Sequence, residues 1–209
     1  MIVIQPTAQV IRMTVDPDEA IEAAARECYQ SEPRGKTGDL IRSVLFPRGH
    51  WAMLEFADLH MRFVTERGIT HELVRHRVCS FAQESTRYVG YNKAKFDRQL
   101  HVMRPPGLGE EQYAEWLSAM GSAETAYMRL TAQGASPQIA RSVLPTCTKA
   151  AIHVKANFRE WLHIFKMRLD RAAHPQMREL MRLAWREIEG TSVVWDLFRE
   201  SNPELFEGV

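Results

Sequence analysis

Between residues 56 and 67 the chain alternates with a period of two. Leu59, Met61, Phe63 and Thr65 fall on one side, and His60, Arg62, Val64 and Glu66 on the other. Successive strand side chains point to opposite faces, so this pattern predicts a half-buried strand, expected to end at Gly68. Looser alternation over residues 1–15, through Ile2, Ile4, Val10, Arg12 and Thr14, predicts one or two opening strands. Two more are expected over residues 96–103, closed by Pro105-Pro106-Gly107, and over residues 146–156, which are rich in Thr, Ile and Val.

Helical patterns fill most of the remainder. Asp16-Pro17-Asp18-Glu19 supplies an N-cap, a proline at the first helical position and a glutamate three residues after the cap, and predicts a helix to about Tyr29. Residues 31–39 have loop composition. A short helix is expected over residues 40–46, stopped by Pro47-Arg48-Gly49, with another starting over residues 50–55. Thr70 is placed to cap a helix through about Arg77, which would set Glu72, Arg75 and His76 on one face. Residues 110–133 predict a long amphipathic helix whose stripe of Tyr113, Trp116, Leu117, Met120, Ala123, Tyr127 and Leu130 belongs in a core. Gly134 ends it, and Ser136-Pro137 restarts a short helix carrying Arg141. A helix over residues 157–170 has Asn157, Trp161, Ile164 and Arg168 on one face and Arg159, His163 and Lys166 nearly opposite, neither a clean apolar stripe. A last helical region covers residues 175–200, with a break at Gly190. Repeats and linkers are absent. The mixture predicts an α+β (mixed α/β) single domain over residues 1–209, with a central, mostly antiparallel sheet and flanking helices including the long amphipathic one.

Composition narrows the function. The 209 residues are 45% hydrophobic and 25% charged, enough to bury a core and typical of a soluble globular protein. A net charge of +1 provides no general pull toward nucleic acid or an anionic membrane, so any anion site must be a local cluster. No apolar run approaches the roughly 20 residues that span a bilayer, and the N-terminus lacks a signal-peptide pattern. The expectation is therefore a cytoplasmic protein with neither nucleic-acid nor membrane partners. Cys28, Cys79 and Cys147 form no CxxC or CxxH pair, so no disulfide framework and no metal site is expected, and each thiol reads as a small buried hydrophobe.

The chemistry concentrates in residues 70–91, THELVRHRVCSFAQESTRYVGY. Arg75, Arg77, Arg87, His71, His76, Glu72, Glu84, Ser80, Ser85 and Thr86 crowd this stretch. Guanidinium forks with nearby hydroxyls suit a phosphate monoester, because the fork matches two oxygens and the hydroxyls serve the remaining lone pairs. Neither GxxxxGK[ST] nor GxGxxG is present, so the stretch is not a P-loop or a Rossmann turn. A binding module that uses Arg75, Arg77 and Arg87 on phosphates without catalysis is the alternative.

Arg75-His76-Arg77, then seven residues, then Ser85, continuing to Arg87-Tyr88, resembles the signature of flavin-dependent thymidylate synthases. GHWAMLEF at residues 49–56, IARSVLP at 139–145 and NFREWLHIFKMR at 157–168 are similar to family segments in the same order. The resemblance implies synthesis of dTMP from dUMP, with methylenetetrahydrofolate as one-carbon donor and FAD, reduced by NADPH, as hydride donor, in a homotetramer with shared active sites. It places Glu72, Arg75, Gln83, Ser85, Arg87, Arg141 and Arg168 on dUMP, Ser85 and Arg87 chiefly at the phosphate. It places His50, Ala52, Arg75, His76, Arg77, Gln83, Asn157, Arg159 and His163 around FAD. Arg168 is the implied catalytic residue, facing the uracil ring and favouring its ionised form, and no cysteine attacks the base. Three stretches depart from relatives: Ser80-Phe81-Ala82-Gln83 stands where many have Ser-Tyr-Asn-Glu, Ala52 where Ser or Thr is often found, and the segment from Arg168 to Gln176 is longer than in some.

Overall fold

In the computed structural model, residues 1–207 are described. The strands are β1 (Ile2–Ile4), β2 (Thr7–Met13), β3 (Asp58–Glu66), β4 (Ser80–Gln83), β5 (His101–Met103) and β6 (Lys149–Asn157). The helices are α1 (Pro17–Tyr29), α2 (Arg67–Leu73), α3 (Glu110–Ala132), α4 (Pro137–Ala140), α5 (Phe158–Leu169), α6 (Pro175–Ile188) and α7 (Val193–Ser201). A small antiparallel sheet runs in the order β2-β3-β6-β4. Separately, β1 pairs with β5 in parallel, Ile2 opposite His101 through Ile4 opposite Met103. The α+β class read from the sequence is the one observed. Among the described residues no helix is long and apolar enough to cross a membrane.

The chain packs as two compact units. One comprises Met1–Thr7, Val64–Arg75 and Ala82–Ile152; the other comprises Ala8–Phe63, His76–Phe81 and the chain from His153. The second holds the larger aromatic core. Leu59, Met61 and Phe63 of β3 are fully buried, as the period of two requires. Against them lies α5, which buries Phe158, Trp161, Leu162, Ile164, Phe165 and Leu169. These six form a broad buried arc, and the face of Asn157, Trp161, Ile164 and Arg168 is mixed as expected, with Arg168 falling within the arc between Trp161 and Ile164. Trp161 Nε1 donates to the Leu59 carbonyl at 2.9 Å, tying helix to strand. Trp195 packs on Phe158 with ring centroids 4.3 Å apart, and Trp185 on Phe206 at 4.5 Å. Gly190, at φ +74°, makes the expected break between α6 and α7.

The first unit is built around fully buried Tyr91, Leu100, Val102, Tyr127 and Ala140, with Cys147 nearly so. Of the predicted stripe on α3, Tyr127 alone is buried, and Tyr113, Trp116, Leu117, Met120, Ala123 and Leu130 are half-exposed. A helix of 23 residues is about 35 Å long, more than so small a cluster covers.

Several local expectations are corrected. Helix α2 starts at Arg67, not Thr70, because the carbonyls of Thr148 and Thr146 satisfy the N–H groups of Arg67 and Gly68 and so open the helix one residue before the glycine. Thr70 then sits inside the helix and donates its hydroxyl to the Arg67 carbonyl. The helix ends at Leu73, so Glu72, Arg75 and His76 do not share a helical face. Asp16 stands at the start of α1 in a left-handed conformation (φ 47°) and makes no side-chain cap. The strand expected over residues 96–103 shrinks to His101–Met103, since Asp97 and Arg98 are also left-handed. Residues 41–45 wind as a π-helical turn and residues 51–56 as a 3-10 helix.

Candidate functional site

Helix α5 starts on Asn157, whose side-chain oxygen accepts from the Glu160 N–H at 2.9 Å. This N-cap fixes the first turn. Three-residue steps from the cap then carry Glu160 and His163 along one face, with Arg159 beside them. Together with Glu55 and Val78 these residues line an open cavity of about 420 Å³. Arg159 pairs with Glu55 at 2.6 Å on the exposed rim. Arg159 and His163 also line a second cavity of about 650 Å³, whose other walls include Phe46, Trp51, Lys166 and Phe198.

Behind the first cavity, His76 is 5% exposed. Arg168 Nε donates to its Nε2 at 3.0 Å, Glu160 Oε1 faces its Nδ1 at 3.5 Å, and the His163 ring meets it edge-on at 5.7 Å. Burial, then the charge of Arg168, then His163 lower the His76 pKa to about 4, so the ring is neutral at physiological pH. Burial raises the Glu160 carboxyl above its ordinary range, and His163 partly offsets the rise. Cys79 lies near, and burial followed by the Glu160 charge pushes its thiol up to about 12. Its thiolate is therefore scarce at neutral pH.

His76, Glu160 and His163 offer ligand atoms within 4.8 Å of one another. Arginine Nε can only donate, so the Arg168 contact requires an unprotonated His76 Nε2 and puts the ring proton on Nδ1, the nitrogen that faces Glu160. A metal at Nδ1 would displace that proton and demand a different arrangement of Arg168.

The first unit gathers another set. Residues 85–88 form a turn in which the Tyr88 and Val89 N–H groups donate to the Ser85 carbonyl and the Arg87 N–H donates to Ser85 Oγ at 3.3 Å. Thr86 is buried and its hydroxyl accepts from Arg141 Nη1 at 3.4 Å, so Arg141 is drawn to the same turn as Ser85 and exposed Arg87. Glu84 anchors the turn: its carboxylate takes Lys149 Nζ at 2.5 Å and the Ala151 N–H at 3.2 Å. Gln83 donates to the Thr70 hydroxyl at 2.8 Å. Such a turn, with the Ser85 hydroxyl, the Arg141 guanidinium drawn to Thr86 and exposed Arg87 on the same turn, has the donors that an anion would need without a glycine-rich loop.

The remaining sequence-derived residues are placed as follows. Glu72 is half-buried, and Arg75 and Arg77 are exposed beyond the end of α2. His50 meets Tyr29, hydroxyl to Nδ1 at 3.1 Å, with the two rings stacked. Ala52 is exposed in the 3-10 helix. Sequence reasoning missed Glu160 and Glu55, whereas Thr86 was among the hydroxyls it singled out. Glu160 could have been found, since it lies three residues from both Asn157 and His163, but the Asn-x-x-Glu spacing reads equally as a helix cap.

The model of the family described as "Thymidylate synthase complementing protein" matches residues 9–191. The flavin-dependent thymidylate synthase of Geobacter sulfurreducens is 32% identical over 95% of this chain and 88% of its own length. That of Mycolicibacterium gilvum is 34% identical over 77% of this chain and 70% of its own. The fold is also that of solved structures at lower identity. A UMP/dUMP methylase from Streptomyces cacaoi, bound with 5-Br dUMP, superposes with TM-score 0.77 at 22% identity, covering 96% of this chain and 97% of that one. Thymidylate Synthase X from Helicobacter pylori, with FAD and dUMP, superposes with TM-score 0.73 at 20% identity, covering 94% and 98%.

Proposed function

The chain belongs to the thymidylate synthase complementing protein family, the flavin-dependent thymidylate synthases, and from that premise we propose that, as a single functional domain, it makes dTMP from dUMP with methylenetetrahydrofolate as one-carbon donor. FAD, reduced by NADPH, supplies when bound the hydride that completes the methyl group. The donor set fits this cofactor: an amide, a guanidinium and an imidazole, from Asn157, Arg159 and His163, line one cavity, and the last two also border a chamber with aromatic walls. Arg75, His76, Arg77, Gln83, His50 and Ala52 are assigned to the same cofactor. Ser85, Arg87 and Arg141 hold the dUMP phosphate at the turn of residues 85–88, with Glu72, Arg75 and Gln83 toward the nucleoside.

The observation that carries the mechanism is the partly buried Arg168–His76 hydrogen bond. Neutral His76 holds Arg168 by Nε and so sets the direction of the guanidinium without cancelling its charge. A fixed positive charge stabilises negative charge that develops on the pyrimidine, at little reorganisation cost. No cysteine is assigned as nucleophile, a choice supported by the thiols of Cys79 and Cys147, raised to about 12 and about 11 chiefly by burial. The enzyme works as a homotetramer with shared sites in the cytoplasm.

The test is dTMP formation from dUMP with FAD, NADPH and methylenetetrahydrofolate, each omitted in turn. Purified protein should be yellow; omission of dUMP, NADPH or methylenetetrahydrofolate should stop the reaction, and omission of FAD should stop it once the bound flavin has been stripped. Colourless protein that takes up no FAD and makes no dTMP would overturn the reading in favour of simple nucleotide binding.

A further inference from the structure

Arg168 meets His76 through Nε and not through its terminal nitrogens, and that choice of atom carries information. Because Nε–H can only donate, it accepts one His76 tautomer alone, with the proton on Nδ1. Nδ1 in turn faces the carboxylate of Glu160, whose side chain is 12% exposed. Glu160 is itself fixed at the backbone by the Asn157 cap. The other tautomer would point an imidazole N–H at a guanidinium N–H and leave Nδ1 without a proton to give to Glu160. Both contacts therefore select the same ring state, one from each side.

We propose that Glu160 is a positioning residue for Arg168 that acts through His76, holding the ring proton on Nδ1 so that Nε2 accepts from Arg168 and fixes the direction of its guanidinium. The proposal rests on the assignment of Arg168 to the substrate pyrimidine. It gives Glu160 a role in turnover without contact with the reacting atoms. Without the carboxylate, the ring is free to turn or change tautomer, and the hydrogen bond that Arg168 Nε gives it is lost or weakened.

Holoenzyme carrying Glu160→Ala and Glu160→Gln tests this. Glu160→Ala should bind flavin and lower kcat by about tenfold, the rate equivalent of one buried hydrogen bond. Glu160→Gln keeps an oxygen that accepts from Nδ1–H and should rescue most of that loss. Long-range 1H–15N spectra of histidine-labelled protein, with the His76 signal assigned through His76→Gln, should show the Nδ1–H tautomer in the wild type and a mixture in Glu160→Ala. Equal loss in both variants would overturn the proposal and make Glu160 a proton carrier. Wild-type turnover in Glu160→Ala, or an unchanged tautomer there, would overturn it as well. If the wild type made no dTMP, the functional reading would fail while the spectra still decided whether Glu160 sets the ring state.

Discussion

Acidification offers a quantitative check on how His76 is housed. An unfolded histidine titrates near 6.5, whereas His76 in the fold titrates at about 4, lowered by burial and by Arg168 and His163. The unfolded chain therefore takes up a proton at a pH where the native one does not, and native stability is drained as pH falls from 6.5 toward 4. The full drop is worth about 3 kcal/mol, complete only below pH 4 and absent above 6.5. For a domain whose whole stability is about 5–15 kcal/mol, that is a large share. Urea denaturation of the wild type and of His76→Gln should be run in parallel at pH 7.5, 6, 5 and 4. Both lose stability through their other groups, so the informative quantity is the difference between the curves. The wild type should lose about 2–3 kcal/mol more than the variant over this range. Parallel curves, or a steeper loss in the variant, would refute the placement of His76 as a buried neutral base.

Other consequences can be checked separately. Trp161→Phe leaves the Leu59 carbonyl without its indole donor and should cost about 1–3 kcal/mol in denaturant midpoint analysis, with little change in the shape of the far-UV spectrum. Asn157→Ala removes the cap of α5 and should cost about 1 kcal/mol of stability, together with weaker FAD retention on dialysis. Arg168→Ala should abolish dTMP formation while the protein remains yellow. Cys79→Ser should keep dTMP turnover near that of the wild type in the same assay, since the thiol is raised to about 12 and is no nucleophile at neutral pH.

Signals set by one buried sheet face or by a residue's own backbone carried over into three dimensions, whereas the α3 stripe as a core and the short polar segments did not. Strand β3 was legible because each of Leu59, Met61, Phe63 and Thr65 is buried, so a single face of the sheet dictates the alternation. The start of α1 and the break between α6 and α7 were legible from Pro17 and Gly190, which act through their own backbones. The start of α2 was not, because carbonyls distant in sequence, from Thr146 and Thr148, satisfy its first N–H groups. The same reason hides β4, four residues with no alternation of their own. At the site, the guanidinium groups and their neighbouring hydroxyls pointed to an anion, while the cofactor entered only through the resemblance of the Arg75–Tyr88 stretch to its family. Glu160 stayed hidden because its meaning depends on His76, which is 84 positions away in the chain and reaches it only after folding.

Trp51 turns one wall of the 650 Å³ chamber into an optical gauge. It is 37% exposed and meets Phe46 edge-on at 5.0 Å, whereas Trp161 and Trp195 are fully buried, Trp185 is 2% exposed, and half-buried Trp116 belongs to α3 and lines no wall of this chamber. Emission from the buried indoles should be blue and nearly indifferent to added small molecules, while that of Trp51 should shift or dim when the chamber fills. Subtracting the spectrum of a Trp51→Phe variant would isolate that signal, so occupancy could be followed in cuvette titrations without labels and without waiting for turnover.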